Sequence, residues 1–127
     1  MLNWKLVVLL CAIFITLVGS VPEAMSPFST RTTYLTFSAP VRLPGVTLPP
    51  GTYIFERPEP QTSQRVVRVL ARDRTRIYLT AVTQLVERPS RLPAHQFVTL
   101  GEAANGIPAP VTAWFPLGDR LGNQFIY

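Results

Sequence analysis

Enzymatic chemistry needs a nucleophile beside a base, a pair of carboxylates, or a set of metal ligands, and few side chains in this chain qualify. Its one histidine, His95, sits between Pro93-Ala94 and Gln96-Phe97. It can act as a base only if Ser90 or Asp119 folds beside it, and no serine carries the flanking glycines of a nucleophile elbow. Glu56 and Glu59 are close in sequence, but Arg57 lies between them and Pro58 and Pro60 interleave. That pattern reads as a solvated loop mouth rather than a catalytic pair. The one cysteine, Cys11, lies in an N-terminal apolar run, so the remainder of the chain has neither a disulfide nor a thiolate metal site. Neither a catalytic residue nor a cofactor nor a metal is expected.

Binding chemistry has more to work with. Arg65, Arg68, Arg72, Arg74 and Arg76 cluster around one stretch, and guanidinium groups at a ribbon tip can meet phosphate, sulfate or carboxylate bidentately. The competing reading is a charged tip that only keeps the ribbon soluble, with Asp73 among the arginines. Tyr34, Tyr78 and Trp114 form a second candidate surface. Each falls opposite the more apolar positions of its segment, where it can serve as a stacking platform for sugar or peptide, or be buried at the rim of a sandwich.

These side chains must be positioned by the elements of a short chain of 127 residues. Residues 1–20 read as a signal peptide: Lys5 precedes an apolar run from Leu6 to Val18 broken only by Thr16, and Val18-Gly19-Ser20 offers a small-residue cleavage site. The run is shorter than the roughly 20 residues of a membrane-spanning helix, although a retained anchor competes with cleavage. Residues 21–30 then form a leader and 31–127 a β domain. Removal of the signal peptide takes Lys5 with it, leaving eleven arginines against seven carboxylates. Such a chain is exported, to the periplasm or the extracellular space. There its arginines would meet anionic envelope lipid or acidic polysaccharide rather than nucleic acid.

Thirteen prolines, all beyond the apolar run, cut most of the domain into pieces too short for ordinary helices. Arg31 to Ala39 alternates, with Thr33, Leu35, Phe37 and Ala39 on one face. Val41–Leu43 and Val46–Leu48 flank the turn Pro44-Gly45, and Thr52 to Arg57 alternates again. The stretch from Gln61 to Arg88 lacks Pro and Gly, but its β-branched and aromatic residues favour strands Arg65–Ala71 and Arg76–Val86 over a helix. Gln96 to Glu102, Val111 to Phe115 and Asn123 to Tyr127 complete six to eight short strands. The expected fold is all-β, an antiparallel sandwich or small barrel. A terminal strand ending Phe125-Ile126-Tyr127 is either paired inside a sheet or an edge through which a homodimer forms.

Leu48-Pro49-Pro50-Gly51-Thr52-Tyr53 and Ala113-Trp114-Phe115, followed by a turn and a Gly-to-aromatic strand, carry a resemblance. With TFSAPVRLPGVTLPPGTYIF (Thr36 to Phe55) and AWFPLGDRLGNQFIY (Ala113 to Tyr127), the chain resembles a group of small exported bacterial β-domain proteins of uncharacterised function. Leu117 departs from the Pro-Gly pair usual in the last turn of that group. The resemblance implies compartment and fold, and brings no catalytic residue.

The expectation is therefore a non-enzymatic exported β domain with a binding or structural role in the cell envelope. A small hydrolase or carbohydrate-active domain using His95 or the acidic residues is the competing class. N-terminal sequencing of exported material should find a chain beginning at or near Val21. An intact Met1 or Leu2 terminus in the membrane fraction would instead establish the retained anchor.

Overall fold

The computed structural model describes residues 32–127, so the expected signal peptide, the whole leader and Arg31 fall outside the described residues. Within them the chain is all-β, with two sheets packed as a sandwich. Ten strands form it: β1 Thr32–Phe37, β2 Val41–Leu43, β3 Val46–Leu48, β4 Gly51–Glu56, β5 Val66–Ala71, β6 Ile77–Val82, β7 Gln84–Glu87, β8 Val98–Leu100, β9 Ala109–Trp114 and β10 Leu121–Gln124. The first sheet runs β1-β4-β5-β6, and the second β3-β2-β9-β10-β7 with β8 also paired to β9. All pairings are antiparallel except β2 with β9, which meet in parallel at Val41/Ala109 and Arg42/Pro110.

The strands exceed the expected six to eight chiefly because Arg76–Val86 is not one strand. Thr83 interrupts its alternation, and here the chain leaves the first sheet and enters the second. Thr83 is buried at this corner. Its amide donates to the carbonyl of Arg65 at 2.8 Å and its hydroxyl to the same oxygen at 2.6 Å. The first strand does alternate as expected, with Thr33, Leu35 and Phe37 buried, but it ends at Phe37 and leaves Ala39 exposed. Between β2 and β3, proline fixes the first turn position and Gly45 takes the second at φ +73°, a conformation that favours glycine.

The core between the sheets gathers Leu35, Phe37, Tyr53, Phe55, Val67 and Val69 from the first sheet with Val41, Leu43, Leu48, Val111 and Trp114 from the second, and Phe125 just beyond β10. Phe55 is its hub, tilted against Trp114 at 6.1 Å and edge-on to Phe125 at 6.2 Å between ring centroids. Burying each such side chain is worth about 1.5–3 kcal/mol, and packing takes the place of disulfides in this domain.

Two register breaks decide which aromatic groups join that core. Opposite Thr99 and Leu100 of β8 stand Ala113 and Val111, so Thr112 is an extra residue in β9. A bulge of this kind reverses the facing of everything beyond it. Val111 and Trp114, of opposite parity in sequence, therefore both reach the core. Likewise Val69 and Leu70 of β5 stand opposite Leu79 and Ile77, leaving Tyr78 as the extra residue of β6. Tyr78 and Leu79 then both pack against the core.

The terminal strand is interior. Leu121–Gln124 pairs with β7 on one side, and Asn123 and Gln124 pair with β9 on the other. Phe125 donates its amide to Thr112 at 2.9 Å, and the Tyr127 hydroxyl bonds the carbonyls of Arg42 and Val111.

Phe115 follows β9 and lies over Gly122 of β10. A Cβ built on Gly122 would enter the Phe115 ring and come within 2.7 Å of the Trp114 carbonyl oxygen. Gly122→Ala should therefore cost about 3 kcal/mol in urea unfolding, at the upper end of overpacking penalties. Phe115→Leu in the same chain should restore only part of it, because the Trp114 carbonyl does not move away.

Candidate functional site

The three aromatic candidates do not form one platform. Trp114 is buried in the core, carried there by the β9 bulge. Tyr78 stands edge-on to Tyr53, 5.4 Å between centroids, with the Arg76 guanidinium 4.9 Å from its own ring. Only Tyr34 presents its ring to solvent, at 59% exposure. The β1–β4–β5–β6 register sets it in a row with Ile54, Leu70 and Ile77 on the outer face of the first sheet. Ile54 and Leu70 are buried, while Ile77 at the far end of the row is 55% exposed.

The arginine set divides in two. Arg68 and Arg74 belong to Glu56, whose side chain is 2% exposed. Arg68 donates through Nε and Nη2 to Glu56 Oε1 at 3.1 and 2.7 Å, and Arg74 through Nη2 to Oε2 at 3.2 Å. Glu56 is therefore not at a solvated loop mouth, and these two arginines serve first as its counter-ions. Arg65, Arg72 and Arg76 remain exposed, with no carboxylate partner among the described residues.

The turn that carries Arg72 and Arg76 has no glycine, and Arg74 takes φ +64° in its place. Asp73 compensates by accepting from the Thr75 amide at 3.1 Å and the Thr75 hydroxyl at 2.6 Å. A local bond of this type is how an Asx residue closes a turn.

A buried polar seam joins the sheets at one end. Arg57, just after β4, donates from Nε and Nη2 to Asn123 Oδ1 at 3.0 and 2.7 Å, from Nη2 to the Leu121 carbonyl at 3.1 Å, and from Nη1 to Asp119 Oδ2 at 2.7 Å. Asn123 turns its amide nitrogen to the Gln64 carbonyl and the Thr83 hydroxyl. The Arg57 guanidinium also lies 5.8 Å from the Trp114 ring centroid. The Trp114 indole N–H has no hydrogen-bond partner among the described residues.

Concavities among the described residues bear on the same question. One, of about 550 Å³, opens between β1 and β8 over Leu35, Phe37, Val41, Val98 and Leu100, and no ionisable side chain lines it. Another, of about 590 Å³, is enclosed by the loops before β8 and before β10. It brings Ser90 and Asp119 together with Arg88 and Arg120, while His95 is not among its lining residues. His95 itself is exposed. The Ser90–His95–Asp119 grouping that an acid–base site would use is thus not assembled.

No family model, curated protein or solved structure matches this chain.

The polar residues missed from sequence were Arg57, Asn123 and Thr83. The available signals were an arginine directly after an apolar strand and Thr83 breaking a period of two. Nothing in sequence points from Arg57 to partners more than sixty residues away.

Burial pushes the Glu56 carboxyl up, but the hydrogen bonds and charges of Arg68 and Arg74 outweigh it and hold the group below its ordinary 4.5. Stability from this cluster is complete above about pH 4.5 and is lost as pH falls through the lowered folded value. Urea midpoints measured from pH 7 to pH 2 should fall in that acid window. Glu56→Gln should begin less stable at pH 7 and show a shallower acid slope; an unchanged slope would assign the acid sensitivity to other carboxylates.

Proposed function

We propose that this chain is a non-enzymatic exported domain that docks on an anionic lipid surface of the cell envelope through the outer face of its first sheet. The observation that carries this reading is the pairing, on that side of the fold, of exposed apolar side chains with unneutralised arginines. Tyr34 and Ile77 end an apolar row, and the β5–β6 turn beside Ile77 presents Arg72 and Arg76, with Arg65 at the other end of β5. Apolar side chains that enter the interface next to cations that meet headgroups are the general composition of a peripheral membrane contact. The internal ion pairs draw on Arg57, Arg68 and Arg74 and leave Arg65, Arg72 and Arg76 without a carboxylate among the described residues.

Sedimentation with mixed phosphatidylglycerol–phosphatidylcholine vesicles tests the reading. Binding should exceed that to phosphatidylcholine alone and should fall steeply with salt, as the Debye length shortens from about 10 Å at 0.1 M to about 3 Å at 1 M. Replacing Arg65, Arg72 and Arg76 by Ser should weaken it on the order of 100-fold, since each such residue contributes about 1 kcal/mol near an anionic surface. Arg68 and Arg74 stay in place because they hold Glu56. Equal binding to neutral vesicles, or binding to acidic polysaccharide alone, would overturn the membrane assignment.

A further inference from the structure

We infer that the depression between the loops preceding β8 and β10 is a binding site for a dianionic phosphate monoester, held by Arg88 and Arg120. The β7–β10 register runs from Gln84/Gln124 to Glu87/Leu121. One step further it places Arg88 directly opposite Arg120, and the Arg88 amide donates to the Arg120 carbonyl at 2.8 Å to close that step. Both residues line the same depression. Two like charges directly opposite on a ladder are unfavourable unless something neutralises them.

The carboxylate of the same depression is already engaged. Asp119 gives Oδ2 to the buried Arg57 at 2.7 Å, and its Oδ1 accepts the Leu121 amide at 3.2 Å. Its negative charge is balanced from within the fold by Arg57, which leaves Arg88 and Arg120 as a net double positive charge in the depression. A phosphate monoester carries about −1.5 to −2 near neutral pH and several acceptor oxygens. It matches that charge better than a single carboxylate, sulfate ester or phosphodiester.

Arg88 is also held ready. Its Nη2 is fixed by the carbonyls of Pro93 and Gln96, and its guanidinium lies 5.7 Å from the Phe115 ring centroid. Of the five N–H groups of a guanidinium, those on Nη1 and Nε have no hydrogen-bond partner among the described residues. A planar donor group fixed in advance loses little freedom when it binds an oxyanion. Ser90, on the rim, adds a hydroxyl that can donate to a third oxygen.

The inference is independent of the membrane reading, since it uses neither the β5–β6 turn nor Tyr34. Titration of the full chain with inorganic phosphate and with glycerol 3-phosphate, followed by calorimetry, should show one site for each ligand. Acetate or a sulfate monoester at equal ionic strength should bind at least tenfold more weakly. Arg120→Ser should weaken phosphate binding at least tenfold. In phosphate-free buffer it should unfold at the same or a higher temperature than the parent, because a like-charge contact is relieved. Phosphate should raise the unfolding temperature of the parent and leave that of Arg120→Ser unmoved.

Arg88→Ser is a weaker test because Arg88 also holds the loop at Pro93 and Gln96, so Arg120→Ser carries the decision. Vesicles bearing phosphatidic acid, whose headgroup is a monoester, separate a lipid source from a free one: binding to them that phosphate competes away and that Arg120→Ser loses assigns the lipid. The Arg65, Arg72 and Arg76 triple replacement should keep its phosphate affinity, so failure at the turn and failure here are distinguishable. Equal phosphate binding by parent and Arg120→Ser, or equal stabilisation by phosphate and sodium chloride at matched ionic strength, would overturn the site.

Discussion

Arg57 is the constraint on which the two-sheet arrangement rests. It leaves the end of β4 in the first sheet, yet its partners Asn123, Leu121 and Asp119 belong to β10 and the turn before it in the second. A guanidinium taken out of water at this depth costs several kcal/mol unless its donors are met, and here four bonds and the face of Trp114 meet them. Asn123 is saturated in turn, accepting from Arg57 while donating to Gln64 and Thr83. Thr83, through Arg65, ties the corner where the chain changes sheets. Slipping either sheet by one residue would strand a buried charge, so the seam fixes register where apolar contacts alone would tolerate several alternatives.

Local alternation was enough to read β1 and β4 of the first sheet, because both keep a period of two against a single core. The same rule misplaced Trp114 and Tyr78, and in both cases the reason is an extra residue opposite two consecutive partners. A bulge is a property of two strands at once. Thr112 looks like any other outward threonine until β8 is laid beside it. The sheet change at Thr83 was visible only as a weak break in pattern, since a buried threonine that bonds a distant carbonyl resembles an exposed one in sequence. The site residues divide in the same way: the arginine turn was legible from composition, whereas the neutralisation of Arg68 and Arg74 depends on Glu56, brought across from β4.

Charge is partitioned by that long-range pairing. Glu56, on the outer face of the first sheet, is covered by Arg68 and Arg74, and Asp119 is matched by Arg57. The carboxylates left outside include Asp73, which is spent on its own turn through Thr75. Three arginines are thus matched with two carboxylates, and the arginines that remain still outnumber the carboxylates that remain. A small domain stabilised by packing and by buried ion pairs can place its remaining arginines opposite one another, as at Arg88 and Arg120, only where the backbone holds them at fixed positions.

The connection from core to depression explains how that is done. Gly122 leaves room for the Phe115 ring against β10, and Phe115 in turn supports the Arg88 guanidinium. Arg88 then gathers the carbonyls of Pro93 and Gln96, so the loop it organises is set by a ring that rests on the sheet. On the opposite wall, Asp119 is anchored by Arg57, whose other bonds define the seam between the sheets. Both walls of the depression are thus fixed by groups that also secure the fold. The placing of the Arg88 guanidinium is accordingly a property of the sandwich, and a ligand that fits meets there a donor whose conformational cost was met during folding.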